Sequence, residues 1–338
     1  MNRLAPPLRI DAAGDEGQSF AARTLPLAVT FVIAVAFAVL FSWLAVARHQ
    51  AFQSHAFDLG NMDQAVWNTL HGHLLRFTDM QVGHRVFTSR LAIHVEPLLI
   101  PMALLYLIHS GPSTLLITQA VVVCSGAIPA YLLARSVTDR AWLSLVFPLA
   151  YLLHPSLQNA MLDDFHAVTM AAAFLLWAIY FAHRLSMAWF GVFAVLAAAT
   201  KEEAGLLVAM LGVYLLYRRK GVAATITFFG GIAWFLIAVL IIIPGHNPSG
   251  HSPYLSRYSY LGHGLAGIVA APFRHPHLVL RVLSSHSRLE YLSNLLHSLG
   301  FTSLLGLPML LLSWPVLLIN MLSADARMYS GFYQYSAE

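Results

Sequence analysis

Residues 25–47 read LPLAVTFVIAVAFAVLFSWLAVA, with no charged side chain from Leu25 to Ala47. At 1.5 Å per residue, a helix of that length reaches about 35 Å, enough to cross a hydrocarbon core of about 30 Å. Uncharged runs of the same character follow at 97–134, 141–162, 167–182, 185–200, 204–217, 221–243 and 291–324. The composition agrees: 58% of the 338 residues are hydrophobic and 10% are charged. A soluble domain carries about 25% charged residues, so this chain cannot cover a water-facing surface and takes lipid as much of its solvent. The fold class expected is all-α, a polytopic transmembrane helical bundle.

Two of the runs are long enough to divide. Gly111-Pro112-Ser113 separates a short piece, 97–110, from the span that follows. Gly306-Leu307-Pro308 offers a turn inside 291–324, since glycine and proline both interrupt helical hydrogen bonding. Basic residues then set the orientation. Arg135 and Arg140, His183-Arg184 and Arg218-Arg219-Lys220 occupy every second gap and are expected in the cytoplasm. The tail, residues 1–24 with Arg3, Arg9 and Arg23, joins them as a mobile cytoplasmic segment. Both demands are met if 97–110, broken by Pro97 and Pro101, enters and returns on one side, which is permitted where protein buries such backbone.

The expected architecture is about nine spans plus one re-entrant piece, with the N-terminus cytoplasmic in a cell inner (plasma) membrane. The transmembrane domain is residues 25–321. It carries an outer loop with an interfacial helix at 48–96, a second outer loop at 244–288, and an outer stub at 322–338. On this topology eleven of the fifteen acidic residues lie outside. Acidic residues contribute little to orientation, so their gathering on one face needs another reason.

Chemistry is sought among those outer residues. In 57–68, Leu59, Met62, Val66 and Leu70 form one apolar helical stripe, an amphipathic helix with Trp67 at headgroup level. Asp58 stands at its start, either as a helix cap or as a working carboxylate. Asp63 lies one turn on. His94 and Glu96 flank the re-entrant piece, as metal ligands or as an interfacial pair. Asp163, Asp164 and His166 are candidate ligands for a divalent ion such as Mg or Mn, with a hydrated loop the alternative. Lys201-Glu202-Glu203 opens a span, where three charges need pairing or a wet cavity. In the 244–288 loop, Arg257 suits phosphate and Tyr258 a sugar or headgroup.

The seventeen histidines show no zinc-type repeat, and the one cysteine, Cys124, lies in an apolar run. Motifs for nucleotide-phosphate or dinucleotide binding and the serine-hydrolase elbow are lacking, and the charge of +4 is too small and scattered for nucleic acid.

Taken in order, Phe57-Asp58-Leu59-Gly60, Asp63-Gln64, Trp67-Asn68, His94, Pro97, Asp163-Asp164-Phe165-His166, Lys201-Glu202-Glu203 and Gln334-Tyr335-Ser336-Ala337 resemble an uncharacterised prokaryotic membrane family. It is the one known as domain of unknown function two thousand and seventy-nine. The resemblance runs from about residue 52 to the end. Glu203 stands where members more usually carry Asp. Members also continue beyond the Tyr-Ser-Ala motif, which implies a chain truncated at its C-terminus.

That family is in turn similar to the GT-C glycosyltransferases, multispan proteins that use polyprenyl-phosphate sugars on the extracytoplasmic side. The resemblance implies a GT-C-like fold and transfer of a sugar to an outer-face acceptor. Asp58 matches the acidic position of the first outer loop, although Leu59 replaces a second acid, which Asp63, Asp163 or Glu96 would have to supply in space. Asp58 and Asp63 are then catalytic. Lys201, Arg257 and Tyr258 would meet the phosphate or substrate, and Asp163, Asp164, His166 and Glu96 are candidate metal ligands. Membrane lipid and a polyprenyl-phosphate sugar are the implied partners. The competing expectations are a multispan transporter or lipid flippase and a non-catalytic membrane protein.

Overall fold

The opening run lies within one long helix of a computed structural model that describes residues 20–82 and 85–336. The tail residues Arg3, Arg9, Asp11, Asp15 and Glu16 lie outside the described residues, as does Glu338. In chain order the helices are α1 (Phe20–Gln50), α2 (Asn61–Leu70), α3 (Pro112–Thr138), α4 (Leu143–Leu152), α5 (Pro155–Leu162), α6 (Ala167–His183), α7 (Met187–Ala198), α8 (Ala204–Tyr217), α9 (Gly221–His246), α10 (Gly264–Arg274), α11 (Pro276–Leu283), α12 (His286–His297) and α13 (Thr302–Met321). Among the described residues, α1, α3, α9 and α13 are long and apolar enough to cross a membrane, and α4, α6, α7, α8 and α10 are shorter apolar helices. The protein is a helical membrane protein with several membrane-type helices.

Small residues set the tightest packing. A Cβ on Gly212 of α8 would meet the Phe228 nitrogen of α9 at 2.6 Å and the Ala224 carbonyl at 2.8 Å, and one on Gly231 of α9 would strike the Gly205 carbonyl. The two backbones therefore touch directly, the contact that small residues allow between membrane helices. It fixes the start of α8, where Lys201, Glu202 and Glu203 are all buried.

The short piece before α3 does not reach across a bilayer. It consists of Leu99–Met102 and a 3-10 turn, Ala103–Leu107, about 14 Å in all, packed beside α2. The amphipathic stripe of α2 is formed as expected. Leu59, Met62 and Val66 are buried to 2% exposure or less, each contributing about 1.5–3 kcal/mol, while Trp67 is 45% exposed.

Three features depart from the sequence reading. Run 141–162 is two helices, because His154-Pro155 stops α4 and Pro155 starts α5 at a position where its missing N–H does no harm. Run 291–324 does not turn at Gly306-Leu307-Pro308. Pro308 sits in a helical first turn, and the chain reverses instead at Gly300-Phe301, both with φ near +57°. The 48–96 loop contains an antiparallel hairpin, β1 (Arg76–Val82) and β2 (Arg85–Ser89), with Arg76 opposite Ser89. Phe77 and Phe87 are buried in the cluster beneath it, with Thr78 and Thr88 exposed: the alternation a half-buried strand requires.

Candidate functional site

Six separate stretches of chain converge at one end of the bundle around a chamber of about 690 Å3. They are 55–62, 87–96, 163–168, Lys201, 253–257 and 325–335. Its walls carry four carboxylates, Asp58, Glu96, Asp163 and Asp325, and four cations, Arg90, Lys201, Arg257 and Arg327. A cluster of this kind at the end of apolar helices is costly unless each charge is paired or wet, and the pairing accounts for most of it.

Asp58 is the most available acid. It lies within a π-type turn, Ala56–Gly60, that leads into α2, so it is not the cap that one sequence reading made it, and no side-chain cap bond forms there. Its side chain is 48% exposed, with Oδ1 3.9 Å from His166 Nε2. His166 is buried, its Nδ1 has no hydrogen-bond partner among the described residues, and burial outweighs the pull of Asp58 to depress its pKa to about 4. The ring is neutral at physiological pH and able to take a proton. Such separations tighten when substrate binds.

The turn that presents His166 is held from below. Gln119 of α3, fully buried, donates from Nε2 to the Asp164 carbonyl at 3.0 Å, and its Oε1 accepts the His166 backbone N–H at 2.8 Å. Asp164 takes φ +66° and points away from the chamber; its Oδ2 accepts the His55 backbone N–H at 2.9 Å and lies 3.0 Å from His55 Nδ1. Asp163 therefore faces the chamber instead. Burial, and then the charges of Asp164 and Asp58, raise its pKa to about 7.

On the facing wall, Arg90 sends Nε and Nη2 to Glu96 Oε2 at 2.9 and 2.6 Å, both residues buried. His94 approaches Glu202 at 2.7 Å through Nδ1 and stacks on Tyr254 at 4.5 Å. Burial and then the nearby Lys201 charge lower its pKa to about 3. Glu202 also accepts the Val95 N–H at 3.0 Å, and its pKa is raised by burial. Lys201 pairs with Glu203, and its ammonium lies 5.2 Å from the Tyr335 ring. Arg257 lies 3.2 Å from Asp325 and stacks over Tyr254 at 4.5 Å. Asp325 also binds Arg327 at 2.7 and 3.0 Å, which holds its pKa below the usual range.

The chamber thus gathers Asp58, Glu96, Asp163, His166, Lys201 and Arg257 from the sequence candidates. Asp63 lies elsewhere: its carboxylate accepts the Tyr106 hydroxyl at 2.6 Å, and burial raises its pKa, so it anchors α2 to the 103–107 turn. Tyr258 faces a neighbouring cavity, its hydroxyl donating to the Ile319 carbonyl at 3.0 Å. The metal set does not assemble. Glu96 is taken by Arg90 and Asp164 by His55, and among the described residues no three His, Cys, Asp or Glu side chains converge as a metal site would need. Arg90, Asp325, Arg327 and Gln119 were not singled out in the sequence as site residues. Tyr254 was signalled only as one of the tyrosines of the 244–288 loop, which read as interfacial, and Gln334 and Tyr335 through the Gln334-Tyr335-Ser336 motif.

The neighbouring cavity, about 270 Å3, shares His94, Lys201, Tyr254 and Arg257 with the chamber. Its remaining wall is largely apolar, from Phe235 and Val239 of α9, Ile268 of α10 and Leu318 of α13. Cations therefore stand where a polar chamber meets an apolar pocket.

No curated protein and no solved structure matches the chain. A family model does, over residues 48–337, the stretch that holds every wall of the chamber. The chain belongs to the family described as predicted membrane protein (DUF2079), whose function is unknown.

Proposed function

We propose that the chain is a GT-C-like, lipid-linked sugar transferase of about nine spans, with the chamber on the outer face of the plasma membrane. The observation that carries this reading is the set of groups gathered at one cavity: Asp58 beside His166, Lys201 and Arg257 in the same walls, and a largely apolar pocket that shares those two cations. A polyprenyl-phosphate sugar fits that set, with its chain in the apolar pocket, its phosphate at the cations and its sugar in the chamber.

The reaction follows from charge. Asp58 takes the proton of an acceptor hydroxyl, and its oxygen attacks the anomeric carbon. The bond from that carbon to the phosphate oxygen breaks, and the electron pair leaves on the lipid phosphate. Lys201 and Arg257 stabilise the new charge, exchanging part of their contact with Glu203 and Asp325 for it. His166, 3.9 Å away, helps orient Asp58, and the proton passes from the half-exposed Asp58 to solvent. No step is assigned to a metal ion: Glu96 is held by Arg90 and Asp164 by His55, which leaves Asp163 and His166 of the candidate ligands facing the chamber.

The test is Asp58→Asn in purified full-length protein, with a labelled polyprenyl-phosphate sugar as donor. Transfer should fall by roughly 100-fold or more, as expected for loss of a general base, while thermal stability stays unchanged because Asp58 makes no bond that holds the fold. Undiminished transfer refutes the assignment.

A further inference from the structure

A third cavity, about 610 Å3, lies apart from both and is the larger of the two apolar ones. Its trough exists because small side chains face each other. Ala130 and Ala134 lie one turn apart on the same side of α3, and Ala150 of α4 lines the same space. Larger neighbours, Leu133, Phe147 and Leu176, form the sides.

The trough runs along the bundle. On α3 its lining runs from Ala130 to Thr138, which is nineteen residues from Gln119, the residue that clamps the chamber's His166 turn. At 1.5 Å per residue that separation is about 28 Å, close to the thickness of a hydrocarbon core. Ser336, also in the lining, adjoins Gln334 and Tyr335 in the chamber wall. That turn packs on Ala167–Met170, the segment directly after His166. The trough thus approaches the chamber by the wall that carries His166, whereas the smaller apolar pocket approaches by Lys201 and Arg257.

The lining also differs in charge. Among the described residues no Asp, Glu, Lys or Arg lines the trough, and its two ionisable side chains are engaged: His154 with Ser298 Oγ at 2.8 Å, and Tyr151, whose hydroxyl donates to the Val123 carbonyl at 2.8 Å. A phosphate entering along it would find no counter-charge, and a neutral headgroup needs none. One lipid substrate uses one apolar pocket, and this chamber has two at different walls.

We propose that the acceptor is itself a membrane lipid with an uncharged, hydroxyl-bearing headgroup, whose chains lie in this trough while its hydroxyl reaches Asp58. This deepens the sugar-transfer reading and rests on it.

The test uses the full chain in phosphatidylcholine vesicles with a photoreactive, diazirine-tailed neutral glycolipid. Peptide mapping should place cross-links on 130–157 well above those at Val39, a lipid-facing position on α1 that is 65% exposed. Ala134→Trp should reduce capture by about fivefold or more; Ala134→Leu, a milder filler, serves if the first variant is poorly folded. With labelled polyprenyl-phosphate sugar as donor, the product should extract with lipid, and the fillers should reduce its formation about fivefold with donor affinity unchanged. Equal cross-linking at the trough and at Val39 overturns the site. Donor affinity lost together with transfer overturns it as well, giving the trough to the donor's chain. Label recovered on a water-soluble product, unaffected by the fillers, overturns the acceptor class. Capture in the trough with no transfer by the wild-type protein refutes sugar transfer and the acceptor role with it, whereas transfer without capture refutes the trough alone.

Discussion

Replacing Gln119 by Met tests whether one buried amide holds the turn that presents His166. Methionine keeps nearly the length and volume of the side chain but removes two short hydrogen bonds, to the Asp164 carbonyl at 3.0 Å and from the His166 N–H at 2.8 Å, and a longer one to the Met161 carbonyl at 3.4 Å. The first two backbone groups are left in a site where Gln119 itself has no exposure. An orphaned buried polar group costs about 1–3 kcal/mol, so the pair sums to about 2–6. The turn can relax toward the chamber, which places the expected loss in the lower part, about 2–4 kcal/mol. For a chain of this size each kcal/mol moves the midpoint by about 2 °C, so thermal unfolding in detergent should shift down by roughly 4–8 °C. Gln119→Glu should do worse, since it keeps the acceptor for His166 but loses the donor to Asp164 and buries a charge. Transfer should fall in both variants, because Asp163 and His166 lose their bearing on Asp58. A midpoint for Gln119→Met within 2 °C of wild type would show that the turn stands without its clamp.

The Arg90–Glu96 pair makes a second test. Glu96→Gln strands a buried guanidinium and should destabilise by about 3–5 kcal/mol, whereas Arg90→Met with Glu96→Leu should be nearly neutral; equal losses would refute the pairing argument. Asp163 has a folded-state pKa of about 7, above its ordinary 3.8, so the folded protein holds a proton that the unfolded chain releases first. Its stabilising contribution is complete below about pH 4 and is lost as the pH rises through about 7. Thermal midpoints measured from pH 4 to 9 should therefore fall more steeply for wild type than for Asp163→Asn across that window, and parallel curves would rule the shift out. Gly212→Leu would drive a side chain into the backbone of α9 and should destabilise by about 1–3 kcal/mol or more, read as a lower melting midpoint; an unchanged midpoint would mean that α8 and α9 do not touch as described.

What the sequence disclosed depended on the kind of force involved. Hydrophobic runs are local, so the helices at 25–47, 204–217 and 221–243 were legible, and so was the stripe of α2. A break was legible at Gly111-Pro112, where α3 begins, but not elsewhere. His154-Pro155 divides a run that reads as continuous, with Pro155 opening α5 in a first turn that accepts it, and Gly306-Leu307-Pro308 does not divide its run, since Pro308 occupies a first turn as well. The chamber was half legible: an acid at position 58 and another at 163 are visible as charges outside the apolar runs. Their partners were not, because pairing across more than a hundred residues leaves no local pattern. His55 binds Asp164, and His94 binds Glu202. Gln119 was hidden for the opposite reason. It is one uncharged polar residue inside an apolar helix, and nothing in its neighbours shows that it faces a turn forty-five residues away in the chain.

The last wall of the chamber, Asp325 to Tyr335, has a consequence in time. A chain emerging from the ribosome delivers its N-terminal segments first, at about 5–20 residues per second. Asp58 and the whole of α1 to α9 are in place before Arg257 arrives, and Arg327 and Tyr335 follow later still. Until then Lys201 lacks the Tyr335 ring and Arg257 lacks Asp325. The walls of the chamber close only as residues 325–335 dock, so the segments made earlier reside in the bilayer without an assembled chamber.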